Sequence, residues 1–295
     1  MKIMFMFEKI IYKAKAMRVN FISDEKYLTK RFIKKLGYVP NLVKPESFNE
    51  KVTARMIFER DTLHTLLADK VAVRELIEEK IGKKFLVPLI GIYESFSDIK
   101  QTELPAQFVL KCSHDSGSAM ICCNKEKFDF QAAECKLQKH LQMNMYVMKR
   151  EWHYKNITAR ILAEEFIHLY KDEMNKLMIT TCRVHCFEGQ PKFIEVDVRN
   201  NECVEYSNIY DSEWRIQPFT VDMKKNSPVD LVRPPQLSKM LELSQQLNMV
   251  KGYSRVDFLL SQEGIYFSEI TLTPNAGRMV IEPKEWDLKL GGFWK

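Results

Sequence analysis

A chain of 295 residues is long enough for a large core divided among two or three subdomains. With 45% hydrophobic and 28% charged residues it has the composition of an ordinary globular protein, neither disordered nor fibrous. The net charge of +6 comes without a long Lys/Arg run or a glycine–aromatic RNA-binding signature, which argues against nucleic acid and fits an anionic small molecule or an anionic membrane surface. Seven cysteines without a CxxC pair argue against a zinc site. Cys182 and Cys186, which could lie on one face of a strand, read as buried structural thiols, and reduced cysteines without a secretory signal suggest the cytosol.

Residues 1–17 carry Ile3, Met4, Phe7, Ile10, Ile11 and Met17 at helical spacing, with Lys2, Lys9, Lys13 and Lys15 mostly elsewhere. That stripe is either the core face of a helix or an interfacial membrane helix. It is too short to span a bilayer and lacks a small-residue cleavage site. Residues 24–83 read as mostly helical, broken around Gly37–Pro45, and Ser47 with Glu50 forms a capping-box pattern. The stretch Asp69–Gly82 reads as one helix closed by glycine, with Lys70 in its first turn. Strands are expected at Phe85–Tyr93, Gln107–Cys112 and Met120–Cys123, followed by a helix over 127–148 and a strand over Arg160–Ile167. Residues 177–187 and 191–198 form a hairpin around Glu188-Gly189, and residues 234–250 a helix. This mixture lacks steady βαβ alternation, so the fold class is α+β.

The end of the chain is the most informative. Arg255–Ser261 and Ile265–Thr271 read as two strands joined by Gln262-Glu263-Gly264, a three-residue turn ending in a left-handed glycine. That loop places Asp257 opposite Glu269 and Arg255 opposite Thr271, all on one face. Opposed carboxylates repel. A divalent cation such as Mg²⁺, which prefers hard oxygen ligands, would relieve the repulsion. A solvated charged pair is the plainer alternative. Lys111 ends an apolar strand before the loop Ser113–Ser118, which can fold backbone N–H groups over phosphate oxygens. Lys70 at a helix start can join the helix dipole in holding a phosphate. Glu164 and Glu165 follow Ile161-Leu-Ala where a strand runs into a loop, a place for a planar base.

In this order the pieces resemble the ATP-grasp superfamily. Most of the chain resembles the TupA-like ATP-grasp proteins of bacterial surface-polysaccharide gene clusters. The residues that carry the likeness are Ser47-Phe-Asn-Glu-Lys51, Ala68–Arg74, Phe108–His114, Glu151–Ile157, Ile161–Glu165, Arg255-Val-Asp257, Glu269–Gly277 and Glu285-Trp-Asp287. Eight ordered blocks are far more specific than any one of them.

The resemblance implies an ATP-grasp fold, with two α+β subdomains clamping ATP and a mostly helical N-terminal region. Its divisions would be 1–83 for the helical region, 84–160 for the lid subdomain and 161–295 for the metal and catalytic subdomain. Lys70 and Lys111 would hold the ATP phosphates, and His114, Ser116, Gly117 and Ser118 would cover them. Glu164, Glu165, Phe166 and Ile167 would hold adenine. Asp257, Glu269 and Thr271 would bind Mg²⁺, and Arg255, with Lys111 and Arg183, would serve the reaction. His153, Lys155, Asn156 and Asn275 would face the substrates, although a structural role for the 153–156 cluster is equally open. The sequence departs from the family in three places: Asp115 and Ser118 replace glycine-richer residues, Thr181 replaces a carboxylate, and Thr271 replaces asparagine.

The implied activity is ATP-dependent, ADP-forming ligation of a carboxylate to an amine through an acyl phosphate. The carboxylate would be a nucleotide- or lipid-linked hexuronic acid, an amino acid or a similar carboxylate of a capsule or O-antigen pathway, and the partner an amino acid or amine. The setting would be the cytoplasm, with peripheral contact at the inner face of the membrane through residues 1–17. A glycosyltransferase using a nucleotide sugar is the alternative enzyme, but it leaves Lys70, Lys111 and Glu164 without a role. A non-catalytic nucleotide-binding scaffold is the third reading, favoured by the departures.

Overall fold

The computed structural model describes residues 2–295, with side chains described from Ile10 onward. In chain order the helices are α1 (Lys2–Phe21), α2 (Asp24–Leu36), α3 (Phe48–Phe58), α4 (Thr62–Ala68), α5 (Val73–Ile81), α6 (Phe130–Leu141), α7 (Met145–Lys149), α8 (Leu237–Gln246) and α9 (Glu285–Phe293). The strands are β1 (Leu89–Tyr93), β2 (Phe108–Cys112), β3 (Met120–Cys122), β4 (Ile161–Glu165), β5 (Lys171–Asp172), β6 (Leu177–Phe187), β7 (Gln190–Arg199), β8 (Glu205–Asp211), β9 (Thr220–Val221), β10 (Tyr253–Leu260), β11 (Ile265–Thr271) and β12 (Ile281–Glu282). The elements form two compact units that interleave along the chain. One comprises residues 1–40, 53–71 and 88–166, and the other residues 41–52, 72–87 and 167–295. The boundaries therefore differ from a contiguous division at 83 and 160. In particular, β4 belongs to the first unit because it pairs with both β1 and β2.

The first unit holds an antiparallel sheet in the order β1-β4-β2-β3. Period-two alternation sorts its strands into two faces. Phe108, Leu110, Cys112, Ile161 and Ala163 are buried together with Ala133 and Leu137 of α6. Lys111 and Glu164 take the intervening positions and share the opposite face. The helical start of this unit follows local rules. The Ser23 hydroxyl accepts from the Lys26 N–H at 3.2 Å to cap α2, and Gly37, at φ 84°, ends it by donating to the Ile33 carbonyl. The described members of the expected N-terminal stripe do not face a core, since Ile10, Ile11 and Met17 are exposed. The side chains of Ile3, Met4 and Phe7 lie outside the described residues.

Of two expected helices, that over Asp69–Gly82 begins only at Val73 and that over 127–148 is divided into α6 and α7. Between α4 and α5, the Asp69 carboxylate accepts from the Val71 N–H at 2.9 Å, an Asx-turn that competes with the helix. Lys70 therefore lies in a turn and not in a first helical turn. Between α6 and α7, the Asn144 side chain caps a new helix by accepting from the Tyr146 N–H at 2.9 Å. The expected capping box does form, with Glu50 N–H donating to Ser47 Oγ at 3.2 Å and Ser47 N–H to Glu50 Oε2 at 3.0 Å.

The second unit is built on an antiparallel sheet ordered β11-β10-β6-β7-β8, with β5 also on β6 and a separate β9/β12 pair. The β6/β7 turn at Glu188-Gly189 has both residues at positive φ, 46° and 80°, as a two-residue hairpin with right-handed strand twist requires. Cys182, Val184 and Cys186 of β6 face the core with Val256 and Phe258 of β10 and Leu237, Met240 and Leu243 of α8. Burial pushes the Cys182 and Cys186 thiols up to about 12, which makes them inert packing groups. The residues between them, Arg183 and His185, point to the other face.

Candidate functional site

On the open face of the first sheet, Lys111 Nζ lies 2.5 Å from Glu164 Oε2, with only 15% and 6% of the two side chains exposed. The strand register explains the pairing. Val109 sits opposite Glu164 and Lys111 opposite Leu162, so lysine and glutamate are diagonal neighbours on one face. The loop after β2 is pinned from several sides. Ser118 Oγ donates to Asp115 Oδ1 at 2.6 Å and accepts from the Cys112 N–H at 2.8 Å. His140 Nδ1 pairs with Asp115 Oδ2. Burial works against the Asp115 carboxylate, but His140 and Ser118 outweigh it and hold Asp115 below its usual range. Lys70 reaches the same loop, its Nζ donating to the Asp115 carbonyl at 2.6 Å and its N–H to the Ser113 carbonyl at 3.1 Å.

The expected phosphate-covering residues therefore divide. Ser116 and Gly117 are exposed, and Gly117, at φ 92°, takes a conformation that suits glycine. His114 and Ser118 are buried. His114 Nε2 faces the carbonyls of Met143 (2.9 Å) and His140 (3.1 Å), so its ring joins the loop to the end of α6. Glu165 is exposed and Phe166 and Ile167 half-buried; the chain passes from the first unit to the second between Phe166 and Ile167. His153 is buried, whereas Lys155 and Asn156 are exposed. Burial, with the nearby positive charges of His64 and Arg55, pushes His153 down to about 3. This environment favours the structural role for His153. Lys155 Nζ lies 5.1 Å from the Tyr146 ring centroid.

The second unit carries the other expected group. Asp257 pairs with Glu269 and Arg255 with Thr271, as the hairpin reading expects, but by a different route. Leu260, not Ser261, pairs with Ile265, so the loop has four residues, and the register shifts between Asp257 and Phe258. Ser268 is the extra residue, a bulge that restores the offset. Gly264 is not among the residues at positive φ. The Ser261 hydroxyl instead accepts the N–H groups of Glu263 (3.1 Å) and Gly264 (2.9 Å) and closes the turn.

A protein cation occupies the neighbourhood of the carboxylates. Arg255 forks onto Asp257, Nε to Oδ1 and Nη2 to Oδ2, both at 2.7 Å. The same Nη2 donates to Thr271 Oγ1 at 3.1 Å and lies 3.9 Å from Glu269 Oε1. Burial raises the Asp257 carboxyl to about 6 even against the pull of Arg255. Burial alone would lower Arg255, but Asp257 reverses this and raises it. Arg183 lies 2.6 Å from Asp197 Oδ2, 2.9 Å from Glu195 Oε1 and 3.7 Å from Asp257 Oδ2. Asp197 sits opposite Thr181, which puts a carboxylate beside that position on the neighbouring strand. Asn275, at φ 50°, is exposed and donates to Asp222 Oδ2.

Sequence reasoning missed the remainder of this network. Lys224 Nζ is 2.9 Å from both Glu195 Oε1 and Asp197 Oδ1. His185 Nδ1 is 2.9 Å from the Tyr253 hydroxyl, and His185 Nε2 is 3.6 Å from Glu195 Oε2. Glu195-Val-Asp197 on a predicted strand repeats the spacing of Arg255-Val-Asp257, and that same-face spacing was a readable signal. Lys224 arrives from an irregular segment and had none. Among the described residues no group of three or more His, Cys, Asp or Glu side chains is arranged to hold a metal. Two opposed carboxylates still fit Mg²⁺, which takes one or two protein carboxylates and completes its shell with water and phosphate oxygens.

The sequence model of the family described as TupA-like ATPgrasp matches residues 50–295. The chain belongs to that family. Its fold is accordingly the ATP-grasp fold, mixed α/β with antiparallel sheets and a helical N-terminal region. Among solved structures it is similar to a D-alanine–D-alanine ligase of Bacillus anthracis complexed with ATP, at 13% identity and a TM-score of 0.38 over 70% of this chain and 55% of that one. It is also similar to a RimK domain ATP-grasp protein of Sphaerobacter thermophilus, at 14% identity and a TM-score of 0.40 over 82% of this chain and 69% of that one. A third is N5-carboxyaminoimidazole synthetase of Staphylococcus aureus complexed with ADP, at 16% identity and a TM-score of 0.35 over 72% of this chain and 46% of that one. The chain thus spans 55% of the length of the D-alanine ligase it resembles. A comparison with curated proteins found no match.

Proposed function

We propose that this TupA-like ATP-grasp chain is an ATP-dependent, ADP-forming carboxylate–amine ligase. The observation that carries the reading is the constellation Arg255–Asp257–Glu269–Thr271, a largely enclosed guanidinium set beside two opposed carboxylates on neighbouring strands, in a chain of this family. Asp257 and Glu269 would hold Mg²⁺, which when bound supplies charge neutralisation for the phosphates. Lys111 and Lys70 would hold phosphate oxygens, the exposed Ser116 and Gly117 would cover them with backbone N–H groups, and the segment 164–167 would receive adenine. Arg255 would meet the negative charge that builds on the acyl-phosphate oxygens as an amine attacks, and Arg183 would keep Asp257 ionised and in place. Most of the protein's contribution is positioning and charge stabilisation on elements that do not have to reorganise.

The carboxylate substrate we assign is a uronic acid or similar sugar, nucleotide- or lipid-linked, joined as an amide to an amino acid or amine during surface-polysaccharide synthesis. The setting is the cytoplasm or the inner face of the membrane. A panel of nucleotide-linked uronic acids and amino acids with Mg-ATP, read for ADP release and product mass, tests this. A new mass equal to acid plus amine minus water, formed one-to-one with ADP, is expected. ADP release without such a product would reject the ligase assignment. The second reading, a non-catalytic scaffold, draws on Asp257 holding Arg255 in a two-point fork; it predicts ATP binding with no ADP release for any pair.

A further inference from the structure

The charge of this chain is concentrated at one end. Residues 1–40 contain ten Lys and Arg against three Asp and Glu, whereas the other 255 residues contain 35 against 36. The entire net positive charge therefore belongs to the segment carrying α1 and α2, which lies before the family match at residue 50. On α2, Lys26, Lys30, Arg31, Lys34 and Lys35 are all exposed.

Helix α1 has two working faces. One is docked. Tyr12 Oη accepts from the Asn144 N–H at 3.1 Å, Lys15 Nζ reaches Met148 Sδ at 3.8 Å, and the Arg18 carbonyl accepts from Arg150 Nη2 at 3.2 Å. The other face is apolar and open. Ile10, Ala14, Met17 and Phe21 recur at helical spacing, and Ile10, Met17 and Phe21 are 55%, 65% and 83% exposed. At 100° per residue, the exposed Lys13 and Arg18 fall on either side of this stripe.

We propose that this face of α1 docks on an anionic lipid surface, with the helix lying in the plane of the interface and α2 adding to the attractive field. No described helix is long and apolar enough to cross a membrane, so the contact is peripheral. An apolar ridge bordered by cations matches headgroup phosphates beside acyl chains. A nucleic-acid backbone has no use for the ridge. A second copy of this chain would bring two surpluses of seven positive charges together. The proposal is independent of the ligase reading, since none of these residues belongs to the nucleotide or metal groups.

Co-sedimentation of the full chain with vesicles tests it. Phosphatidylcholine vesicles containing phosphatidylglycerol should bind the protein, pure phosphatidylcholine should bind it weakly, and high salt should release it. The paired change Met17→Glu and Phe21→Glu should cut binding by more than tenfold with an unchanged melting temperature. Lys13→Gln and Arg18→Gln should each cut it roughly fivefold, the effect of one basic residue near an anionic surface. If the glutamate pair fails to fold, the glutamine variants and the salt titration on the wild type carry the test. No binding to the anionic vesicles, binding indifferent to lipid charge, or a dimer mass in solution that the glutamate pair abolishes would each overturn the proposal; the last would assign the face to a second copy.

Discussion

At the scale of single residues, the two opposed carboxylates are not equivalent. Read from sequence, Asp257 and Glu269 only repel, so removing either would cost nothing. In the fold, Asp257 is buried and takes both arms of the Arg255 fork, while 32% of the Glu269 side chain is exposed. Asp257→Asn takes the carboxylate from a largely enclosed guanidinium and is expected to lower apo stability by about 2–4 kcal/mol, since breaking a largely buried pair leaves a poorly compensated charge. Glu269→Gln should stay within about 1 kcal/mol of wild type. Urea unfolding of both variants checks this, and equal effects would refute the asymmetry. His153 gives a pH prediction. Its folded pKa, about 3, lies below the ordinary value of 6.5, so the unfolded chain binds the proton more tightly. Its contribution is complete above pH 6.5 and is lost as pH falls from there towards 3, at up to about 1.4 kcal/mol per pH unit. His153→Asn should flatten the stability profile between pH 6.5 and 4.5, and an unchanged slope would show that the ring is not held neutral.

At the scale of elements, the sheet of the first unit works because β2 and β4 each divide their residues between two faces. Phe108, Leu110 and Cys112 secure the strand in the core, which leaves Lys111 held on the open face against Glu164. Lys111→Ala should therefore weaken ATP binding by about tenfold or more, the equivalent of one charge-assisted hydrogen bond. Lys127→Ala, at an exposed position after β3, should leave it unchanged. Calorimetry with ATP decides between them, and equal affinities would remove Lys111 from the nucleotide site. The β10/β11 hairpin makes a related point. A four-residue loop alone would have slipped the register by one and turned Glu269 away from Asp257, and the bulge at Ser268 brings it back.

At the scale of the whole molecule, ligand binding and stability are linked. Mg-ATP that binds only the folded chain should stabilise it by about 2.7 kcal/mol at a hundredfold excess over Kd. The melting temperature should rise with Mg-ATP, and the rise should shrink when EDTA accompanies ATP. It should also be lost in Glu269→Gln, whose own stability is otherwise preserved. A full shift in that variant would dissociate the metal from the carboxylate pair.

Local rules were enough for much of this protein. The α+β class, the Glu188-Gly189 hairpin and the Ser47/Glu50 capping box all follow from periodicity and short-range hydrogen bonding, which the order of residues specifies directly, whereas the shared face of Asp257 and Glu269 needed the bulge at Ser268 as well. The ordered motif blocks carried the family. Long-range contacts decided the rest. That Lys70 reaches the Asp115 carbonyl, that His114 turns inward to the end of α6, and that Asp197 stands beside Thr181 on the neighbouring strand depend on partners many residues away. Burial was likewise a tertiary matter. It raised Asp257, kept His153 neutral and left the α1 stripe open, because desolvation is set by what packs against a group and not by its neighbours in sequence.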